Sequence, residues 1–531
     1  MKNVCYTAFL LFVLTVNCTL AQPPGATIDV QHYIFNIDLN DNDNTIACKA
    51  KVALKFIKNA KSFNLDLVKK NAAGKGMLVT SVTENGKAIN FLQNADNVSI
   101  SAAGVAGSTH TYSINYSGIP ADGLIISTNK YGKRTFFGDN WPNRAHNWLV
   151  SVDHPADKAS VDFVVSAPAH YDVIANGLKV NETPLPQNKK QTHWRETAQL
   201  STKIMVIGVA DFAIQQSANI NGLPVYNYVF PQDSVKGFKS YAYAKEILPF
   251  FINKIGPYAY KKLANVQSKT IFGGMENAGA IFYFEDSPGS RDIESLMAHE
   301  IAHQWFGDAA SEKNFYNLWL SEGFATYLTH YYLENKYGID TLKKRLIADR
   351  IKVTAFEKDR FTPVVDSTVK DNYMPLLNAN SYEKGSWVLH MLRRKLGDEV
   401  FWKGIKQYYA LYNGKNANTD DFRKVMEKAS GKELAVFFKQ WLKTAGHPVL
   451  KISYDTSTEK GKIVVKVEQQ QPVLYEMPLE YIINKQSFTV NIKNRLTTFK
   501  VQLPINEITF DPNVNTLAEI IMADATYRVK K

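Results

Sequence analysis

Two histidines four residues apart, His299 and His303, flank a carboxylate at Glu300, and a second carboxylate follows at Glu322. On a helix, positions four apart lie about 40° from the same face, so both imidazoles can meet one ion. Glu300 sits about 100° further round, beside such an ion rather than on it, where it reaches a water. A hydrolytic zinc site needs three protein ligands and keeps its fourth position open. Glu322 supplies the third ligand, on a second helical stretch expected from Tyr316 to Tyr337. Leu318, Trp319, Ala325, Leu328 and Tyr332 would pack that stretch against the first. A random chain of this length contains H-E-x-x-H about once in a hundred, so coincidence is a poor account. The pattern points to one zinc ion and metal-assisted hydrolysis. No G-x-S-x-G elbow and no G-x-x-x-x-G-K-[ST] loop occurs, which leaves serine-hydrolase and nucleotidase chemistries unsupported.

The elements that must hold these residues read as three regions. With 531 residues the chain is too long for one core. From Ile28 to about Phe212 the text is strand-like: Ala50 to Phe56 alternates with period two, and turn clusters such as Asp41 to Asn44 interrupt it. This predicts an all-β domain over residues 22–212. Helical spacing begins near Val235 and dominates from Ser290, expected as an N-cap, to Gly446-His447-Pro448, giving a mainly helical catalytic domain over 213–447. Another helix is expected to begin at Thr419-Asp420-Asp421. Alternation returns in Lys462 to Val467 and Phe488 to Ile492, so 448–531 reads as a small C-terminal β-sandwich. The fold class is multidomain α+β. His32, His110, His146, His154, His170 and His193 lack ligand spacing and read as structural.

The net charge of +12 arises from 62 basic and 50 acidic residues scattered in twos and threes. Nucleic-acid binding needs a clustered stripe, so a solvated surface is the better reading. Lys2, the apolar run Tyr6 to Val16 and the small residues before Gln22 predict a signal peptide over 1–21 and an exported protein, periplasmic or extracellular. Lipoprotein anchoring at Cys18 is the weaker alternative, since Thr15-Val16-Asn17 fits that processing box poorly. Beyond the cleavage point only Cys48 remains, so no internal disulfide is expected, which suits a bacterial exported enzyme. No second apolar run reaches membrane length.

Surrounding motifs sharpen the picture. Gly273-Gly274-Met275-Glu276-Asn277 precedes the histidines, His299 to Asp308 reads HEIAHQWFGD, Leu320 to Ala325 reads LSEGFA, and Tyr382-Glu383-Lys384-Gly385 follows. With the 18-residue gap between His303 and Glu322, this resembles the gluzincin aminopeptidases of the aminopeptidase N and leukotriene hydrolase family. Thermolysin-type endopeptidases use a gap one residue longer. The resemblance covers nearly the whole mature chain. It implies a saddle-like N-terminal β domain, a thermolysin-like catalytic domain, and peptide substrates with a free N-terminal amine. It makes His299, His303 and Glu322 the zinc ligands, Glu300 the general base and Tyr382 the donor to the oxyanion. Glu276 becomes the carboxylate that grips the substrate's α-amino group, and Gly273, Gly274 and Met275 the backbone lining the peptide's path. Outside this context, Glu276 suits a solvated loop and Tyr382 suits packing.

One region departs from the family pattern. A second amine-binding residue is usual five positions before an Arg; counting back from Arg144 gives Asp139, with Asn140 close behind and an ordinary turn residue as the plain alternative. Larger members carry a long helical C-terminal domain, and a chain without it is expected to have a more open cleft. Two other functions stay open at this level: an added epoxide-hydrolase activity, which nothing in the sequence separately supports, and a catalytically silent zinc-bearing peptide-binding protein. A silent protein would have lost one of Glu300, Tyr382 or the ligands, and all are present. An endopeptidase is disfavoured by Glu276, because an anion there penalises substrates without a free amine. Side-chain preference and oligomeric state are not legible.

Overall fold

The computed structural model describes residues 27–523. The expected signal segment, with Cys18, lies outside the described residues. The chain is β-rich from residue 28 to 230, then helical, then β-rich again. In the first region, β1 (Ile28–Asp38) pairs antiparallel with β2 (Ile46–Phe56) and parallel with β3 (Lys158–Pro168), inside an eight-stranded sheet. Alternate residues point inward as the period-two text requires: Phe35 stands opposite Ala50 on one side and Phe163 on the other, and all three are buried. Further sheets of four and three strands close this core over Trp148 and Trp194. The β-region histidines pair with carboxylates, His110 with Glu84, His146 with Asp153 and His193 with Asp162. Cys48 is a buried free thiol.

A five-stranded mixed sheet leads into the helical part. Its parallel core is β4 (Leu223–Val229), β5 (Leu263–Ser268) and β7 (Ala280–Phe284), and the two-residue β6 (Gly274–Met275) pairs antiparallel with β7 at the edge. That edge borders the cleft.

Five helices matter to the site: α1 (Ala244–Lys254), α2 (Ile293–His303), α3 (Trp319–Tyr337), α4 (Ile339–Asp359) and α5 (Gly385–Leu396). Every residue of α3 from Trp319 to Leu333 is buried, so it is the central helix around which α2, α4 and α5 pack. A tight turn, Phe315–Asn317, precedes it, so α3 starts three residues later than its apolar text implied. Asp292, not Ser290, occupies the N-cap of α2; the Ser290 Oγ instead accepts from the Asp292 N–H at 3.2 Å, one step before the helix. Thr419–Ser430 is a helix, entered through an Asn418–Asp421 capping box. The last helical turn, Lys439–Lys443, ends ahead of Gly446.

Two C-terminal sheets, of four and three strands, face each other. Val465, Val467, Leu479 and Tyr475 join the same apolar core as Trp441, so the sandwich and the helical region share one interior. Among the described residues no helix is long and apolar enough to cross a membrane.

Candidate metal centre and peptide cleft

The helical period places His299 and His303 side by side on α2, and the packing of α2 against α3 brings up Glu322 from the first turn of α3. Their ligand atoms converge: Nε2 of the two histidines lie 3.1 Å apart, and Glu322 Oε2 stands 3.3 Å from His299 Nε2 and 3.2 Å from His303 Nε2. Bonds of about 2.0–2.1 Å to a tetrahedral ion require ligand atoms about 3.3 Å apart. The residues therefore fit a small tetrahedral cation. Ser321 Oγ at 3.0 Å and the Phe306 carbonyl at 3.2 Å occupy the other ring nitrogen of His303, which fixes the ring with Nε2 facing the group. Burial would raise the Glu322 carboxyl, but the two histidines outweigh it and hold it low.

Glu300, one residue past His299, turns towards β6. A Cβ on Gly274 would stand 2.3 Å from Glu300 Oε1, so the edge strand passes directly against the Glu300 side chain, which any larger residue would have to displace. Burial pushes the Glu300 carboxyl well up, Glu276 adds to this, and His303 opposes it. A carboxylate with raised proton affinity is suited to accept a proton and give it back.

Tyr382 comes from a wide helical turn, Asn380–Lys384, that runs into α5. Gly323 on α3 and Gly385 on α5 allow that approach; a Cβ on Gly323 would lie 2.8 Å from the Gly385 Cα. Buried Lys384 pins the end of the turn, donating to Glu357 Oε1 at 2.6 Å and to the Gly446 carbonyl at 2.7 Å. The Tyr382 ring stacks on His299 with centroids 6.0 Å apart. Burial first, then Glu322 and Glu276, push its phenol well above the usual range, so it remains a donor.

Glu276 follows directly on β6. It is 5% exposed, and its Oε1 has no hydrogen-bond partner among the described residues. Its ligand oxygen, that of Glu300 and a ring nitrogen of His303 lie within 4.8 Å of one another. The loop is held by Gln304, which the sequence reading passed over although it adjoins a ligand. Gln304 Nε2 donates to the Glu276 carbonyl at 2.6 Å and to Asp308 Oδ2 at 2.8 Å, while its Oε1 accepts from the Gly279 N–H at 2.8 Å.

A cavity of about 270 Å³ joins these groups; Gly273, Gly274, Met275, Glu276, His299, Glu300, His303, Glu322 and Tyr382 all line it. Asp139, the expected second amine grip, is not among the lining residues. Its Oδ1 accepts from Arg144 Nη2 at 2.6 Å, and its Oδ2 accepts from Thr270 Oγ1 at 3.0 Å and the Ile271 N–H at 2.9 Å. Both oxygens are spent on anchoring the segment that leads into β6. Asn140 is likewise engaged, with the Thr202 and Met205 carbonyls and Trp148 Nε1. The neighbour that does reach the cavity is Trp141, edge-on to Phe272.

Residues 29–204 match the peptidase M1 N-terminal domain and residues 240–441 the peptidase family M1 domain. The chain belongs to the peptidase M1 family. It is 28% identical over 385 residues to the "Probable aminopeptidase 2" of Sulfurisphaera tokodaii, covering 68% of this chain and 49% of that protein. It is 26% identical over 435 residues to the "Glutamyl aminopeptidase" of Bitis rhinoceros, covering 73% and 45%. With the "Leucyl aminopeptidase" of Saccharolobus solfataricus it shares 24% over 490 residues, covering 86% and 58%. The chain spans about half the length of the curated relatives it matches.

Proposed function

We propose that the protein is a zinc-dependent aminopeptidase that hydrolyses the first peptide bond of substrates with a free N-terminal amine. The observation that carries this reading is the orphaned, buried Glu276 Oε1 beside the His299–His303–Glu322 group. A buried carboxylate without a partner is costly, and an α-ammonium is the cation that would relieve it at one end of a peptide. His299, His303 and Glu322 would hold the one zinc ion. When bound, zinc supplies a Lewis acid that polarises a carbonyl and acidifies water. Glu300 takes the proton of the attacking water and delivers it to the leaving amine. Tyr382 donates to the carbonyl oxygen as that oxygen gains charge. Gly273 and Gly274 let the substrate backbone approach β6 closely. The test is hydrolysis of aminoacyl-nitroanilides beside their N-acetylated forms, with and without a chelator. Free-amine substrates should be cleaved and chelation should stop it. Equal cleavage of blocked substrates, or activity indifferent to chelator, would overturn the reading.

The same proposal places the protein outside the cytoplasm, on the strength of the N-terminal Lys2 and Tyr6–Val16 pattern. The isolated mature protein should begin at Gln22; a retained Met1 would refute export by this route.

A further inference from the structure

A second cavity, of about 270 Å³, shares Leu296 and His299 with the first and is otherwise lined by Asp292, Ser295, Thr326, Thr329, His330 and Arg345. Its place along the substrate path follows from the edge strand. The Glu276 carbonyl is bonded to Gln304, just past the C-terminal end of α2. Gly274 abuts Glu300 in the middle, and a Cβ on Gly273 would lie 3.9 Å from Leu296, a turn earlier. A peptide whose amine meets Glu276 and whose first carbonyl reaches the His299–His303–Glu322 group therefore continues towards Leu296 and the second cavity.

The cavity holds a cation that no carboxylate among the described residues contacts directly. Arg345, on α4, donates through Nε to His330 Nδ1 at 3.0 Å and through Nη2 to Ser295 Oγ at 2.6 Å. Neither is a carboxylate. The nearest buried carboxylate on its own helix, Asp349, is occupied by His330 Nε2 at 2.6 Å. Arg345 makes no ion pair among the described residues, and its Nη1 donates to none of them. Burial opposes the Arg345 charge, while Asp349 and the exposed rim residue Asp292 support it without touching it. Thr326 and Thr329 also line the cavity, the Thr329 hydroxyl donating back to the Ala325 carbonyl at 2.8 Å.

We propose that this cavity receives the residue after the scissile bond and that Arg345 selects a carboxylate there. The planar guanidinium is fixed by two bonds on one side and leaves donors on the other, the arrangement that favours a carboxylate over an amide. That carboxylate has two sources: an acidic side chain on the second residue, or the C-terminus of a dipeptide. The inference rests on the aminopeptidase reading, since it needs the chain direction set by Glu276.

The experiment compares kcat/KM within matched pairs on the zinc-loaded protein. Ala-Glu-amide against Ala-Gln-amide reports the side-chain source; Ala-Ala against Ala-Ala-amide reports the terminal source. In at least one pair the carboxylate-bearing member should lead by about ten-fold or more, chiefly through KM. Arg345→Gln should bring that ratio to within about two-fold, and Arg345→Lys should keep part of it. Each ratio is read inside one variant, so a partly folded preparation does not blur it. Asp292→Asn, an exposed change, should widen the ratio in the same pair. Ratios near or below one in both pairs for the unsubstituted protein, or a preference that survives Arg345→Gln, would overturn the assignment. Failure to cleave any free-amine substrate faster than its acetylated form would instead defeat the aminopeptidase reading itself.

Discussion

At the His303 end of α2 the cleft holds Glu276, whose buried Oε1 has no hydrogen-bond partner among the described residues. At the Asp292 end it holds Arg345, a guanidinium that makes no direct ion pair among the described residues and hydrogen-bonds His330 and Ser295. Between them, one helical turn carries both histidines of the metal group. The contrast shows how one short helix can act as a ruler. A peptide is a directional chain with a cation at its start, and a groove with opposite unmet charges at its ends accepts that chain in one sense only. Burying unpaired charge is unfavourable for folding, so each end is a place where the fold alone leaves a group unsatisfied and a ligand completes it.

Substitutions can break this comparison at its centre or at either end. The largest effect belongs to the centre. Glu300→Gln removes the proton acceptor while keeping nearly the same shape, and should lower kcat by about 10²–10⁴ for every substrate. Because Arg345 lines the other cavity, the ratio of acidic to neutral second residue should stay as it was. Bound zinc, measured by elemental analysis, should also be retained. A Gln variant that lost its metal would make Glu300 part of the binding group rather than the base.

The amine end should respond less and more selectively. Glu276→Gln removes the charge and keeps the size, costing about 1.5–3 kcal/mol of a charge-assisted bond, or about 10–100-fold in kcat/KM for free-amine substrates. Acetylated substrates should be unchanged or slightly better. A loss equal for both kinds would mean that Glu276 serves the architecture of the loop and not the amine.

Much of the centre was legible in the sequence, because a helix turns a spacing of four into a shared face, and His299 and His303 needed no tertiary information. Glu322 needed only a second helix packed on the first. Glu276 and Tyr382 were readable through the motifs around them, since neither a two-residue strand like β6 nor a wide turn like Asn380–Lys384 leaves a periodic trace. Asp139 shows what spacing leaves out. Its distance from Arg144 is visible in the chain, but the competing partners, Thr270 and Ile271, arrive from 131 and 132 residues away and consume the second oxygen. Two buried acids near one cleft thus differ by a single fact, whether the fold has already satisfied them, and only coordinates carry it. Arg345 was silent for the same reason: a lone Arg in a helix looks solvated until α4 is laid beside α2 and α3. The three-region division was the easier part, since period-two and helical text alternate on the scale of whole domains.

The smallest expected effect is also the sharpest test of the two ends as separate devices. Glu276 and Arg345 share no contact and line different cavities. If each reads its own part of the substrate, the double change Glu276→Gln with Arg345→Gln should cost the sum of the single changes, within about 0.3–0.5 kcal/mol, or roughly two-fold in kcat/KM. The measurement is a double-mutant cycle on one substrate bearing both a free amine and the preferred carboxylate. Strong positive coupling would mean that a substrate held at one end is thereby aligned at the other, and that the groove clamps the chain as a unit. The strongest reason to expect additivity is the metal group between the ends: zinc held by His299, His303 and Glu322 would fix the scissile carbonyl independently, so neither end would have to transmit its grip to the other.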